Sequence, residues 1–220
     1  MKLVLLVIML SLCVSCTNSV TEVDKSKETA DVNQVIVDEN QVNEVNENLI
    51  STNPEDEALL KNMNEITLAL QKKDFKEFSN FIHPQEGIRF SRYGVVDFEQ
   101  DIVLKKEDLR DAAENKENYS WGYYFSEEVM LETTIYEYFE KYIFFSDYSK
   151  ADAIGINEKV TDVYTIPEEY NEVYPDSMII EYYFNNDFPE TLDWKSIRFV
   201  FKKYDDDMCL MGIICNEWTP

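Results

Sequence analysis

The chain has 220 residues, of which 44 are Asp or Glu and 20 are Lys or Arg, so its formal net charge at pH 7 is -24. The basic residues are scattered among the acids and do not form a patch. Such a surface repels nucleic acid and anionic lipid head groups. We therefore expect no nucleic-acid partner, and we interpret the charge as a source of solubility.

The first fifteen residues have the composition of a secretory signal peptide. Lys2 is followed by an apolar run over 3–10 and then by small residues before Cys16. The apolar run is too short to span a bilayer. An ordinary secretory signal is one interpretation, and a lipoprotein signal is the other.

Cys13-Val14-Ser15-Cys16 favours the second interpretation, because it resembles the box that precedes the lipidated cysteine of bacterial lipoproteins. Its first residue departs from the usual Leu. Cys13 itself is the alternative acceptor, but the bulky Leu12 precedes it where a small residue is preferred. We expect cleavage after residue 15, lipid on Cys16, and a protein held on a membrane in the bacterial cell envelope, facing outside the cytoplasm.

Residues 16–53 are predicted to be the lipidated cysteine and a disordered acidic tether. From 17 to 52 there is no aromatic residue, Gly or Pro, and Asn, Glu, Asp, Val, Ser and Thr dominate. Such a segment cannot bury enough apolar surface to fold. All aromatic residues lie beyond Pro54, so we expect 54–220 to form one globular domain.

Two cysteines, Cys209 and Cys215, lie in the predicted domain. They are six residues apart in one predicted strand, which corresponds to roughly 20 Å at 3.3 Å per residue. A disulfide requires Cα atoms within about 7 Å. We expect two free, largely buried thiols that serve packing, with a catalytic cysteine as the alternative.

The N-terminal part of the domain predicts helices. Asn53-Pro54-Glu55-Asp56 is a helix start, and the apolar residues that follow have helical spacing, so a helix is expected over 55–72. A capping box at Asp74–Glu77 begins a shorter helix that Pro84 ends. A small helix is expected over 105–115, and a capping box at Thr134–Glu137 begins another that runs to about Phe145.

The C-terminal part predicts strands. Alternating residues predict a strand over 88–93, and three β-prone runs follow at 177–184, 196–203 and 208–216, the last two joined by a tight loop at 204–207. This order predicts an α+β fold with N-terminal helices packed on a curved antiparallel sheet that ends in a long hairpin. The order also resembles the NTF2-like cone, in which a sheet wraps a helix around a pocket.

Four motifs resemble those of an uncharacterised family of bacterial lipoproteins and secreted proteins. The motifs are H-P-Q-E-G-I-R-F-S-R-Y (83–93), T-I-Y-E-Y-F (134–139), D-W-K-S-I-R-F-V-F (193–201) and G-I-I-C-N-E-W-T (212–219). The resemblance covers most of 55–220 and implies an envelope location without an activity. The chain departs from the pattern at Cys215-Asn216, where relatives tend to have His-Asp, and after Trp121-Gly122, where they tend to have a Gly- and Asp-rich turn.

Few residues are candidates for chemistry. His83 is the only histidine; it is either a general base or, as we expect, a cap on the last carbonyls of a helix. With one histidine and no C-x-x-C pair, no metal site is expected. Asp97, Glu99 and Asp101 alternate along a predicted edge segment, Asp205–Asp207 form a turn, and Glu168, Glu169 and Glu172 share a predicted helix face. We interpret these acids as solvated surface.

A ligand site is predicted from rings and one cation. Five rings are candidates for contact with a sugar or another amphipathic ligand: Tyr93, Trp121, Tyr123, Tyr124 and Trp194. Of these, Tyr93 and Trp121 together with Arg89 are predicted to form the mouth of a pocket. The alternative is that the rings belong to the core and Arg89 pairs with a surface acid.

No Gly-rich phosphate loop or nucleophile elbow is present in the sequence, and no catalytic residue or cofactor is predicted. We therefore expect a non-enzymatic domain that binds a small molecule or a protein partner in the envelope. The alternative is a hydrolase of cell-wall or carbohydrate substrates that uses carboxylates brought together only by the fold.

Overall fold

The computed structural model describes residues 54–123, 129–158, 160, 170–185 and 193–218. The predicted signal peptide, Cys16, the tether and Tyr124 lie outside these residues. The helices are α1 (Pro54–Gln71), α2 (Phe75–Phe78), α3 (Lys106–Arg110), α4 (Ile135–Tyr142) and α5 (Tyr170–Val173). The strands are β1 (Ile88–Ser91), β2 (Ile102–Leu104), β3 (Tyr119–Tyr123), β4 (Met130–Thr133), β5 (Ala153–Ile156), β6 (Ser177–Asn185), β7 (Trp194–Tyr204) and β8 (Asp207–Trp218).

Local capping chemistry starts the predicted helices. At α2, Oδ1 of Asp74 accepts a hydrogen bond from the Glu77 amide at 2.9 Å. At α4, Thr134 and Glu137 form the reciprocal capping box, each side chain accepting from the amide of the other. The helix ends at Tyr142, earlier than predicted, because Ile143 leaves the helical region at φ -120°.

The protein has an α+β fold whose main sheet is curved and mixed, with strand order β2-β1-β8-β7-β6-β5. Every pair in it is antiparallel except β1 and β8, which run parallel in the register Phe90 to Ile213. The prediction of a purely antiparallel sheet is therefore wrong at this pair. A parallel pair needs a long crossover connection, and here the entire chain from β2 to β7 lies between its two strands.

The predicted terminal hairpin is confirmed and is longer than expected. Tyr204 and Asp207 form its closing pair, and Asp205 has the left-handed φ of 54° that the tight turn needs. In contrast, the predicted edge segment at 97–101 is a turn. Oδ1 of Asp97 accepts from the amides of Glu99 and Gln100, and this side-chain bonding competes with an extended backbone.

A β-bulge in β8 decides which face its residues occupy. Val200 is opposite Gly212 while Phe201 is opposite Leu210, so Met211 is an extra residue. Because of this extra residue, Cys209 and Cys215 lie on opposite faces of one strand, although their spacing is even. Both thiols are free, as the sequence predicted, but only Cys215 is buried, whereas Cys209 is partly exposed.

The two faces of the sheet are covered differently. The inner face packs on α1, α2 and α4 and forms the main hydrophobic core with residues such as Phe90, Phe199 and Ile213. The outer face carries a smaller cluster, in which Tyr174 packs on Ile179, Val200 and Ile214. Among the helices of the described residues, none is both long and apolar enough to cross a membrane.

Candidate functional site

A cleft of about 340 Å³ lies at the end of the sheet where β6 ends, β7 begins and β8 ends. We call it the strand-end cleft. Its lining residues are Phe145, Ser146, Lys150, Asp152, Phe184, Asn185, Asp193, Trp194, Lys195 and Trp218. The volume is within the range of small-molecule sites.

Aromatic rings form the apolar part of the strand-end cleft. Trp194 and Trp218 are directly opposite each other on β7 and β8. The ring of Trp194 is buried and lies nearly parallel to that of Tyr183, with 6.2 Å between centroids. Trp218 is 45% exposed. The Trp218 ring therefore offers a contact surface to a ligand, whereas the Trp194 ring is packed against the protein.

Charged groups complete the cleft and are held by neighbours. Nζ of Lys195 is 3.1 Å from Oε2 of Glu217 and 5.2 Å from the centroid of the Phe145 ring. Oδ2 of Asp152 accepts a hydrogen bond of 2.7 Å from the Asn185 amide. The cleft thus combines rings with both donors and acceptors, the composition by which many sites orient a ligand.

A narrow slot lined by Arg92 adjoins the cleft and shares Phe145 and Lys195 with it. The slot has room for about one water molecule, at about 10 Å³. Nη2 of Arg92 donates to the hydroxyls of Tyr93 at 2.7 Å and Tyr142 at 2.9 Å. The guanidinium also lies over both rings. These contacts fix a buried cation beside the cleft.

Cys215 lines the slot but has the environment of a structural thiol. Burial raises the pKa of the Cys215 thiol to about 12, and Sγ donates to the Tyr142 carbonyl oxygen at 3.6 Å. The thiolate, rather than the thiol, is the nucleophile. Cys215 therefore remains protonated and unreactive at neutral pH, in agreement with the packing role predicted from the sequence.

The structure does not bring Arg89, Tyr93 and Trp121 together in one mouth. Tyr93 lines the slot, because left-handed φ angles at Tyr93 (56°) and Gly94 (70°) turn the chain after β1. Trp121 is 2% exposed and stacks on Tyr138 with 3.7 Å between centroids. Arg89 lies on the outer face of the sheet, where its register partners are Val103 and Gly212. The predicted arrangement is corrected on these grounds.

Arg89 lines a second depression of about 240 Å³, which we call the outer-face groove. Its lining residues are Glu86, Gly87, Arg89, Phe98, Val103, Val173, Tyr174, Pro175, Lys202 and Met211. Nη1 of Arg89 donates to the Asp101 carbonyl oxygen at 3.3 Å, and the guanidinium lies 4.7 Å from the centroid of the Phe98 ring. The alternative in which Arg89 pairs with a surface acid is therefore not observed among the described residues.

Asp101 is the carboxyl group next to this groove whose environment is unusual. Burial raises its pKa, although hydrogen bonds from the Ser91 hydroxyl and the Asp97 amide and the charge of Arg89 act in the opposite direction. The Ser91 hydroxyl donates to Oδ2 at 2.6 Å. Asp101 thus closes the turn at 97–101 and contributes no side chain to the strand-end cleft.

His83 has a structural role, but a different one from the predicted cap on helix carbonyls. Its Nδ1 accepts hydrogen bonds from the amides of Gln85 at 3.3 Å and Glu86 at 3.0 Å, and its ring packs edge-on against Tyr204. The imidazole was predicted to donate to helix carbonyls, but it accepts hydrogen bonds instead. Pro84 turns the chain so that the next backbone amides point back at the imidazole. His83 is buried and lines none of the three depressions.

The remaining predicted residues are placed as follows. Trp194 lines the strand-end cleft, whereas Tyr123 is 46% exposed on β3, outside the cleft. Within the described part of the chain, no group of three or more His, Cys, Asp or Glu side chains could hold a metal ion. Trp218, Lys195 and Asp152 were not predicted, because the cleft is assembled from strand ends far apart in sequence.

The chain matches no known protein family and no curated protein in sequence. It is similar to a solved protein of unknown function with a cystatin-like fold from Nostoc punctiforme, with 11% identity, a TM-score of 0.39, and coverage of 77% of this chain and 96% of that chain. A DUF4783 family protein from Bacteroides ovatus has 10% identity, a TM-score of 0.33, and coverage of 71% and 94%. A second cystatin-like domain of unknown function from Nostoc punctiforme has 8% identity, a TM-score of 0.35, and coverage of 77% and 81%.

Proposed function

We propose that this protein is a lipid-anchored domain of the bacterial cell envelope that binds a small amphipathic ligand, such as a cell-wall sugar, in the strand-end cleft. The observation that carries the binding proposal is the lining of the cleft. An exposed indole, Trp218, lies beside the ammonium groups of Lys150 and Lys195 and the carboxylate of Asp152. A sugar ring presents an apolar C–H face to an indole and hydroxyls to such polar groups.

The proposed location rests on the sequence. The apolar run ends in the Cys13–Cys16 box, and a tether rich in acids and amides separates Cys16 from α1. Such a tether holds a domain near a membrane without embedding it. The membrane is then a partner only through the lipid on Cys16.

We also propose that the fold is an NTF2-like cone. In support, two N-terminal helices and α4 pack on the inner face of a mixed sheet, and β7 and β8 form a long terminal hairpin. The strand-end cleft lies at the end of this hairpin that is opposite its turn. This is where a sheet wrapped around helices leaves an opening.

Binding is favoured over the hydrolase alternative by the placement of the acids. A hydrolase that uses two carboxylates needs one whose pKa is raised so that it can act as an acid. Asp101 is the described carboxyl group whose pKa is raised, and it lies outside the cleft. The buried Glu181 is paired with Arg198 and does not line the cleft either.

The test is a calorimetric titration of the full chain and its variants with oligosaccharides of N-acetylglucosamine and of glucose, and the titration of the parent is also followed by tryptophan fluorescence. Trp121 and Trp194 are buried, so a ligand in the cleft should change mainly the emission of Trp218. Trp218→Ala should abolish binding and Trp218→Phe should retain part of it. Tyr123→Ala, which removes an exposed ring outside the cleft, is the matched control. Binding that survives Trp218→Ala would refute the cleft as the site.

A further inference from the structure

Arg89 lies in the outer-face groove between residues of the two neighbouring strands. On β2 its register partner is Val103, and on β8 it is Gly212. Since Gly212 has no side chain, the Tyr174 hydroxyl fills the space on the β8 side, 3.0 Å from where a Cβ of residue 212 would lie. The cation is therefore framed by an apolar residue on one side and a hydroxyl on the other.

The guanidinium has few direct polar contacts, and the nearby Asp101 carboxyl group acts on it through its charge without forming an ion pair. Its five N–H groups make one hydrogen bond, to the Asp101 carbonyl oxygen. It forms no ion pair within 4.0 Å with any described carboxylate, although from residue 54 onward the acids outnumber the bases 36 to 17. The Asp101 carboxylate is instead engaged by Ser91 and the Asp97 amide.

Phe98 holds the cation in place from above. Its ring centroid is 4.7 Å from Cζ of Arg89, yet the residue is 60% exposed. Exposure of an apolar ring to water is unfavourable. Here the face of the ring that points toward the protein makes a cation–π contact. This contact holds the guanidinium without using its N–H donors, which therefore remain available.

The other charges of the groove leave it with one net positive charge. Lys202 and Glu86 compensate each other, with 3.4 Å between Nζ and Oε1. The remaining lining is largely apolar and includes Val103, Val173 and Met211. A single cation on an apolar floor complements a single anion attached to an apolar body.

We propose that the outer-face groove binds an organic monocarboxylate with an apolar body, and that Arg89 holds the carboxylate through its planar pair of donors. The guanidinium fork matches a carboxylate bidentately, which a lysine cannot do. The groove volume of about 240 Å³ accommodates one apolar side-chain-sized group beside the anion. This site is separate from the strand-end cleft and does not depend on the function proposed for it.

The test uses N-acetyl-phenylalanine and N-acetyl-leucine as probes and their C-terminal amides as neutral controls. Binding to the full chain is measured by calorimetry and by amide chemical-shift changes in the NMR spectrum. We expect millimolar or tighter binding of both acids, with shifts at Gly87, Arg89, Phe98 and Val103, and at least tenfold weaker binding of the amides, since a charge-assisted pair is lost.

Variants separate the role of the fork from that of charge in general. Arg89→Gln should weaken binding of the acids at least tenfold, and Arg89→Lys should also weaken it, since charge without the fork is insufficient. Arg110→Gln, which removes an exposed arginine on α3, should leave binding unchanged. Phe98→Ala should weaken binding several-fold by releasing the guanidinium.

Three results would overturn the proposal. The first is that neither acid binds the parent at 10 mM, the second is that the amides bind as tightly as the acids, and the third is that Arg89→Gln binds like the parent. If Arg89→Gln fails to fold, the acid-to-amide ratio and the location of the shifts in the parent still decide the question. Shifts confined to the strand-end cleft would count against the groove.

Discussion

The carboxylate of Glu181 and the guanidinium of Arg198 form a buried ion pair across β6 and β7, with 2.7 Å between Oε1 and Nη2. Both side chains are almost inaccessible to solvent, at 5% and 3%. Two buried charges are costly to desolvate, so an apolar pair of similar size can be as stable as the ion pair. Removal of one partner, however, leaves the other charge buried and uncompensated.

We therefore predict that Arg198→Met lowers the free energy of unfolding by about 3–5 kcal/mol. The double variant Arg198→Met, Glu181→Leu should recover more than half of this loss. Lys195→Met is the matched control, because Lys195 and Glu217 are also a cross-strand pair but lie at the surface. It should cost less than about 1 kcal/mol. Urea denaturation measures all three, and equal costs for the two single variants would contradict the prediction.

The thiol of Cys215 should make the protein sensitive to alkali. Burial raises the pKa of this thiol from 9.0 to about 12. Between these two values the unfolded chain releases the thiol proton and the folded chain keeps it, so the free energy of unfolding falls as the pH rises. The free energy of unfolding is therefore unaffected by this thiol below pH 9, and it decreases progressively from pH 9 to pH 12.

The measurement compares the parent with Cys215→Val, which has a similar volume and does not titrate. The stability difference between them should shift by about 2 kcal/mol in favour of the variant from pH 7 to pH 10.5. Cys209→Val should show a smaller shift, because Cys209 is only partly buried. A pH-independent difference for Cys215→Val would show that the thiol is accessible to water.

The buried ring of Trp121 should stabilise the folded state. Its ring is stacked on Tyr138 and its Nε1 donates to the Thr133 carbonyl oxygen at 3.0 Å. Trp121→Ala should lower the free energy of unfolding by about 3–5 kcal/mol. Tyr123→Ala, two residues later on the same strand and 46% exposed, should cost less than about 1 kcal/mol. A small cost for Trp121→Ala would mean that the ring is not in the core.

Local chemistry made several elements predictable from the sequence. The α1 and α4 helices follow from caps and from apolar residues at helical spacing, and the terminal hairpin follows from two β-prone runs around Asp205-Asp206. The parallel pairing of β1 with β8 could not be predicted in this way, because it joins Phe90 to Ile213 and no local pattern specifies the partner. The strand β2 has only three residues, which are too few for a period-2 signal.

The candidate sites were less predictable for a related reason. Arg89 and Tyr93 are four residues apart, and a continued strand would place them on the same face, yet the positive φ angles at Tyr93 and Gly94 turn the chain after β1 and place them in different depressions. Trp218 lies beyond the predicted end of the last strand, so its pairing with Trp194 was not foreseen. The residue types suggested binding, but only the tertiary structure decides which side chains are exposed and which of them lie together.

The boundary between tether and domain gives a prediction that proteolysis can check. Residues 17–52 contain no aromatic residue, whereas α1 buries Leu59 and Met63 fully. Limited digestion of the processed protein should therefore release a stable fragment that starts between residues 50 and 57. Glu-specific and Asp-specific proteases suit the acidic sequence, and mass spectrometry gives the new N-terminus. Slowly exchanging amides throughout 17–52 would contradict the tether.

Cys16 is predicted to carry the lipid because Ser15 precedes it and Leu12 disfavours Cys13. In a bacterium that expresses the full chain, the parent should fractionate with membranes and incorporate labelled fatty acid. Cys16→Ser should abolish labelling and leave the protein soluble or unprocessed, since no lipid then retains it. Cys13→Ser is the matched control, and it should behave like the parent. If Cys16→Ser is still acylated and membrane-bound while Cys13→Ser is not, the acceptor is Cys13. If the parent itself is not acylated and is released like both variants, the N-terminus is an ordinary secretory signal.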